Sequence, residues 1–419
     1  MSSKSVLIVG GGVIGLCTAY YAARKGHRVT VVDRESAVHE GCSYGNAGMV
    51  VPSHFIPLAA PGIVALGLKW MWNPESPFYI KPRLNRDLLN WAWKFWRAAT
   101  PAHVGRSAPL LRDLHLGSRA CFVELADLLG NEFGLVTKGL LALCQTEHAL
   151  DEELKTAEQA RKLGIPAEVL DAKQTANLDP NVRMDIAGSV YFPKDCHLTP
   201  SRFMVGLKQN LETAGVRFAW NTEVTGWRVR GNSIEAVRTT DGDFTADEYV
   251  LCGGSWSPGI ARDLRLNLPM QAGKGYSLTL PNPRQLPQIC ALLTEARVAV
   301  TPMSQTLRFG GTMEIAGLNE NINPVRVQGI IKAVPKYYPD FSPQDFEGIR
   351  PWCGLRPCSP DGLPYVGRTQ RYQNLSLATG HAMLGLSLGP ITGKLMAEIL
   401  SDEKSPIEIK LLDPDRYSR

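Results

Sequence analysis

No two of the nine cysteines in this 419-residue chain form a C-x-x-C pair. That absence removes support for a structural zinc or a redox dithiol, and the scattered thiols read as reduced core residues of a cytosolic protein. No metal site is expected. No uninterrupted apolar run reaches the length that crosses a bilayer. No basic block accompanies the net charge of +5. Nucleic acid is therefore not suggested, while an anionic small molecule or an acidic membrane surface is allowed. The first apolar strand begins near Ser5, which is expected to leave no room for a cleavable leader. The length allows two domains, or one with a large insertion.

Glycine, by contrast, is placed where it matters. Val6-Leu7-Ile8-Val9 is a β-branched apolar run, followed at once by Gly10-Gly11-Gly12-Val13-Ile14-Gly15 and a stretch of helical composition that stops at Gly26. A second apolar run, Val29–Val32, ends at Asp33. Strand, glycine turn, helix, strand and acid are the order of a dinucleotide-binding βαβ unit. Gly10 permits the tight turn, Gly12 lets a pyrophosphate approach the backbone, and Gly15 lets the helix lie close to the sheet. The helix start offers free N–H groups to phosphate. Asp33 can accept hydrogen bonds from an adenosine ribose. Gly10, Gly12, Val13, Ile14, Gly15, Asp33 and Arg34 thus form the first group of candidate cofactor residues.

Further along, Cys42-Ser43-Tyr44-Gly45-Asn46-Ala47-Gly48-Met49 is a loop of small residues against which a flat ligand can lie. Thr245–Trp256 joins an acid, a buried strand and Gly253-Gly254. Gly354-Leu355-Arg356-Pro357 and Ala378–Ser387 form a C-terminal block, with a helix expected to start near Pro390 and to run through Leu400. Together these motifs resemble the D-amino-acid oxidase superfamily of flavoproteins, and within it the bacterial D-amino-acid dehydrogenases. The likeness runs nearly end to end, through the terminal Arg416-Tyr417-Ser418-Arg419.

The resemblance implies non-covalent FAD, with Ser43, Asn46, Ala47 and Gly48 near the flavin ring and Val224 near adenine. Gly253 and Gly254 pass the cofactor, and Gly380, His381, Leu384, Gly385 and Leu386 lie at the flavin edge. Cys353 is near the place where some members attach flavin, but Gly354 fills the matching position. The expected fold is α/β: a Rossmann-like FAD-binding domain (1–58, 195–260 and 345–419, with a helix at 105–131) and an interleaved α+β substrate domain with a mixed or antiparallel sheet (59–194 and 261–344).

The implied reaction is oxidative deamination of a D-amino acid by hydride transfer from Cα to flavin. It gives a 2-oxo acid, or a cyclic imine from D-proline or a hydroxy-D-proline, and electrons pass to a quinone or another acceptor. Arg356 is the expected carboxylate anchor, because a guanidinium grips a carboxylate through two parallel hydrogen bonds. The competing reading pairs Arg356 with Asp361 or with backbone carbonyls. Tyr276 is expected to add a hydroxyl to the carboxylate, and Arg308 lies on a neighbouring roofing strand. His54 is the third catalytic candidate, and His197 and His381 are structural unless the fold brings them to the site. Two alternatives stand: an O₂-using glycine- or sarcosine-type amine oxidase, and a non-catalytic FAD electron-transfer subunit.

Residues 59–98 hold five of the nine tryptophans, interleaved with Lys69, Lys94 and Arg97. Aromatics beside cations suit a membrane interface, and they equally suit the core of a second domain. The dehydrogenase resemblance favours peripheral contact through 63–98, on the inner face of the membrane.

Overall fold

The structure, a computed structural model, describes residues 3–71, 73, 75–83 and 85–418. Trp72 and Arg419, both part of the sequence reading, lie outside the described residues.

Ser5–Val9 is the middle of a six-stranded sheet whose order is Tyr365–Arg368, Leu375–Thr379, Glu248–Leu251, Ser5–Val9, Arg28–Val32, Arg217–Ala219. All neighbours are parallel except the first pair. A central parallel strand is covered on both faces, which is why its sequence is apolar without alternation. The Val13–Arg24 helix packs on this sheet and against the C-terminal helix, Gly385–Leu400. The two helices touch at glycine: a Cβ at Gly393 would stand 2.4 Å from the Cys17 carbonyl group. Pro101–Leu128 packs into the same core.

The C-terminal helix begins five residues earlier than the sequence reading placed it. Pro390 lies inside the helix rather than at its start. Burial of Leu386, Leu388 and Ile391 outweighs the hydrogen bond that proline cannot donate. Among the described residues only Ala382–Leu400 has the length and mean hydropathy to cross a membrane, and it is mostly buried in this core.

A second, nine-stranded mixed sheet stands over the first. Its order is Trp352–Cys358, Gln271–Leu280, Thr306–Ile315, Val298–Met303, Cys290–Leu293, Leu140–Cys144, Gly188–Phe192, Glu168–Asp171, with Phe78–Ile80 also beside Thr306–Ile315. Trp352–Cys358, expected within the nucleotide-binding segment, belongs here. It runs antiparallel to Gln271–Leu280 with Arg356 opposite Gly273. The chain after Arg217–Ala219 leaves the first sheet. Asn221 takes a φ of 55°, and Val224 opens a separate three-stranded antiparallel sheet.

Candidate functional site

One cavity of about 1230 Å³ lies between the two large sheets. At one end it meets the glycine turn. Gly10 has a φ of 114°, and a Cβ there would stand 2.5 Å from Cys252 O; a Cβ on Gly15 would stand 1.8 Å from Gly10 O. The strand end and the helix start can approach this closely only without those side chains. Gly12 faces open space, with Ser43 Oγ 3.6 Å from its Cβ direction. Ser43 Oγ accepts the helix-start N–H of Val13 at 3.0 Å. Asp33 accepts from Gly11 N at 2.6 Å and from Glu35 N at 2.8 Å. Two bonded oxygens fix the carboxylate and leave lone pairs for a ribose. Beyond it, the Arg34 guanidinium lies 4.1 Å from the Trp256 ring centre, and Trp220 and Val224 complete a flat slot.

At the other end the cavity meets the second sheet. Arg356 lies across Gly275, where a Cβ would stand 2.1 Å from its Nη1. Nη1 donates to Thr312 O at 2.6 Å. Among the described residues no carboxylate forms an ion pair with Arg356. Asp361, the partner in the competing reading, is held by Arg416 at 2.7 and 3.1 Å. Burial lowers the Arg356 pKa. The guanidinium is thus a partly desolvated cation without a counter-ion among the described residues, which makes the cavity an anion site. Thr312 presents its carbonyl from a φ of 69°, a costly conformation for a β-branched residue and one that persists mainly at functional sites.

Tyr276 lines the cavity, but its hydroxyl donates to Glu314 at 2.7 Å and accepts from Asn323 N at 3.3 Å. Burial and the Glu314 carboxylate raise its pKa. Its one proton is committed, so it has none to offer a substrate carboxylate, and the expected role is corrected on that ground. Arg308 is turned away from the cavity. It donates to Tyr44 O and Asn46 O, and it braces the small-residue loop. His54 does line the cavity; burial and then Arg297 lower its pKa to about 4, so it is neutral. His381 lines it as well, with Nε2 3.0 Å from Thr392 Oγ1, and burial lowers its pKa to about 3. His197 is buried in the strand beside Met49-Val50, away from the cavity.

Of the candidate cofactor residues, Gly15, Gly48 and Gly380 do not reach the cavity. They are turn and packing glycines, Gly48 and Gly380 at φ of 78° and 81°. Val13, Ile14, Asn46, Ala47, Gly253, Gly254, Leu384, Gly385 and Leu386 do line it, beside Asp33, Arg34, Ser43 and Val224.

Residues 5–399 match the family described as FAD dependent oxidoreductase. The chain belongs to this family. It is 34% identical over 420 residues to a D-amino acid dehydrogenase of Cereibacter sphaeroides, covering 98% of this chain and 95% of that one. It is 33% identical to a D-amino acid dehydrogenase of Bradyrhizobium diazoefficiens, covering 99% of each. Among solved structures, glycine oxidase from Geobacillus kaustophilus superposes with a TM-score of 0.79 at 24% identity, covering 99% of both chains. L-proline dehydrogenase from P. horikoshii gives 0.75 at 15% identity, over 100% of this chain and 98% of that one. At these identities the structures speak to the fold.

FAD is the cofactor of this flavoprotein, and the cavity fits it. The glycine turn and the Val13 helix start suit the pyrophosphate, Asp33 the ribose, and the Arg34–Trp256–Trp220 slot the adenine. At the ring end, the 3₁₀ turn Ala382–Leu384 leads into the C-terminal helix. Ala382 takes a φ of 47° there. A helix start at this place favours a ring that gains negative charge.

The sequence reading missed Trp352, which lines the cavity between Gly45 and Gly354. A Cβ on either glycine would lie within 2.3 Å of its ring. Those two glycines, far apart in sequence, were the available signal. It also missed Thr312 as the prop of Arg356, and Ser53 and Asp195, which no local motif marks.

Proposed function

We propose that the protein is an FAD-dependent D-amino-acid dehydrogenase. The observation that carries this reading is Arg356, a half-buried guanidinium that opens on the cavity and, among the described residues, is bonded to one backbone carbonyl and to no acid. Full-length likeness to enzymes named for D-amino acids supports the substrate class. Bound FAD supplies the acceptor for the two electrons and the hydride lost from Cα. The chain supplies placement. Arg356 takes the carboxylate through two N–H groups. Met313, Phe78, Ile80 and Trp91 form an apolar wall beside it that excludes water and suits an apolar side chain. D-Proline and hydroxy-D-prolines, compact and cyclic, fit these demands. Open-chain imines then hydrolyse to a 2-oxo acid and ammonia, while a cyclic one persists.

The FAD is held without a covalent bond. Strand alternation turns Cys353 away from the face that carries Trp352, Gly354 and Arg356, and its Sγ donates to Glu320 O at 2.9 Å. A pellet that stays yellow after acid precipitation would overturn this.

The electron acceptor is a quinone reached at the membrane. The Arg86–Ala98 helix buries Leu88 and Trp91 and exposes Leu89, Trp93 and Trp96, and Leu68 stands exposed on Ile63–Trp70. Trp93 and Trp96 stack at 5.1 Å, while Phe95 and Trp96 also line the cavity mouth. Exposed aromatics with Lys94 and Arg97 on one helix suit the headgroup layer, which supports the reading of peripheral contact with a membrane. Leu89→Glu with Trp93→Glu is expected to abolish co-sedimentation with anionic vesicles and to leave turnover with a soluble dye unchanged. Retained binding would remove the membrane reading.

The decisive experiment is anaerobic mixing of the yellow protein with D- and L-amino acids, D-proline, sarcosine and glycine, followed by readmission of air. Bleaching by D-isomers with slow reoxidation supports the proposal. Bleaching by sarcosine or glycine with fast peroxide formation would make the protein an amine oxidase. No bleaching by any amine would leave the electron-transfer subunit.

A further inference from the structure

His54, which lines the cavity, is the open end of a buried chain of hydrogen bonds. Its Nδ1 lies 3.0 Å from Ser53 Oγ, and Ser53 Oγ donates to Asp195 Oδ2 at 2.5 Å. Ser53 N donates to Asp195 Oδ1 at 3.0 Å, so both carboxylate oxygens are engaged by one residue. Asp195 is fully buried and Ser53 nearly so. Asp195 lies 142 residues away in sequence, at the turn before the strand that pairs with Met49-Val50. A buried carboxylate costs stability unless it is paired, and no cation makes an ion pair with Asp195 among the described residues.

The protons along this chain are fixed by counting. Ser53 has one hydroxyl proton and gives it to the carboxylate. The 3.0 Å contact then requires His54 to carry its own proton on Nδ1, pointing at Ser53 Oγ. His54 Nε2 is left with a lone pair, and it makes no hydrogen bond within the described residues. A neutral imidazole with this tautomer, oriented from behind by an acid, is arranged as a base.

The chain ends in the cavity that holds the anion site. Ala299 is the strand partner of Gly310, and Arg297, in the turn just before that strand, lines the cavity with Thr312. Thr312 O is the acceptor for Arg356, and Arg297 is close enough to His54 for its charge to be felt.

Resting on the D-amino-acid reading above, we infer that His54, Ser53 and Asp195 form a proton line that takes the ammonium proton of a bound amino acid. The amine must be neutral before its lone pair can form the C=N bond of the imine. His54 Nε2 gains the proton as the substrate N–H bond breaks. The Nδ1 proton passes to Ser53 Oγ, and the Ser53 proton passes to Asp195 Oδ2. One proton leaves the substrate and one arrives on Asp195, which becomes neutral. His54 ends neutral, with its proton on Nε2. His54 is the member that touches substrate; Ser53 and Asp195 act through it.

The surrounding charges allow this. Facing His54 are Arg297 and, on the Pro101–Leu128 helix, His115; Arg297 lines the same cavity, as do Glu152 and Glu153 on the Glu147–Lys162 helix, Glu153 within reach of the Arg297 charge. His115 is neutral, because burial lowers its pKa to about 3. Facing Asp195 are Arg119, Cys196 and Cys290. Burial raises the Asp195 pKa to about 7, against the pull of Ser53 and Arg119, so the acid can hold a proton near neutrality.

Two measurements test the line. The first is flavin reduction by a D-amino acid as a function of pH in the wild type, Ser53→Ala, His54→Gln and Ser53→Thr. The alanine and glutamine variants are expected to lose at least tenfold at pH 7. Their rates should climb tenfold per pH unit towards the wild-type value where the substrate amine is free, and threonine, which keeps the hydroxyl, should restore the profile. Wild-type profiles in both S53A and H54Q would overturn the inference. The second needs no turnover: infrared difference spectra on binding 2-aminoisobutyrate, which has an ammonium and a carboxylate but no Cα hydrogen. A carboxylic-acid C=O band should appear in the wild type and be absent in Asp195→Asn and S53A. Its absence in the wild type would also overturn the inference. A wild type that no D-amino acid reduces would instead refute the proposed function.

Discussion

Replacing Arg356 by glutamine separates a substrate anchor from a structural arginine. If Arg356 were structural, its removal would break native interactions, and loss of one member of a buried ion pair costs about 3–5 kcal/mol. Among the described residues it has one hydrogen-bond partner, Thr312 O at 2.6 Å, and glutamine keeps a neutral N–H donor at this position. Removing an uncompensated, half-buried cation also removes its desolvation penalty. Arg356→Gln is therefore expected to leave the melting temperature unchanged or slightly raised, with FAD still bound. The penalty falls on substrate, whose carboxylate would enter the cavity without its cation. The same 3–5 kcal/mol then corresponds to roughly two to four powers of ten in kcat/KM. The assays are thermal melting of the holoenzyme and anaerobic flavin reduction by a D-amino acid. A melting temperature lowered by many degrees, with kcat/KM changed less than tenfold, would refute the reasoning.

Three further outcomes follow from single contacts. Gly275→Ala should displace the Arg356 guanidinium, which a Cβ would meet at 2.1 Å; KM should rise at least tenfold with FAD content and melting temperature retained, and an unchanged KM would contradict the placement of Arg356. Gly393→Ala should push apart the Val13–Arg24 and Gly385–Leu400 helices, because the Cys17 backbone at 2.4 Å cannot yield; overpacking of about 1–3 kcal/mol should lower the melting temperature by several degrees, and no change would show that the helices can shift. The Asp195 pKa is raised from 3.8 to about 7, so the folded state keeps a proton that the unfolded chain releases, and wild-type stability must fall as pH rises through that window. Asp195→Asn should therefore melt like the wild type near pH 4 and above it at pH 8; a lower melting temperature at pH 8 would mean that the ionised form is the stabilised one.

How far the sequence could be read depends on the distance between interacting residues. Gly10, Gly12 and Asp33 were legible because the turn, the helix start and the acid that serve one ligand lie within one βαβ unit. Arg356 was legible through the resemblance, but its lack of a counter-ion was not, since that required knowing that Asp361 belongs to Arg416. Tyr276 shows the reverse. Its strand position puts it beside the cavity, and only the packed structure shows that Glu314, 38 residues on, takes its proton. Pro390 misled because local propensity marks it as a helix start, while burial of its neighbours decides the outcome. Ser53 and Asp195 were beyond reach, because a serine and an aspartate 142 residues apart form no pattern.

The illegible features share a physical character. A cation without a counter-ion at Arg356, a threonine at a φ of 69°, an alanine at a φ of 47° and a fully buried acid at Asp195 each cost stability. Three of the four residues, Arg356, Thr312 and Ala382, line the cavity, and Asp195 reaches it through Ser53 and His54. Packing alone would remove such features: glycine would suit position 312 better, and a neutral side chain position 356. Their grouping around one cavity is what a site built for a zwitterion requires. A carboxylate needs a cation that nothing else has neutralised. An ammonium that must lose its proton needs a base backed by an acid with room for that proton. The two requirements lie at opposite ends of the same amino acid, and Arg356 and His54 both line the cavity that would hold it.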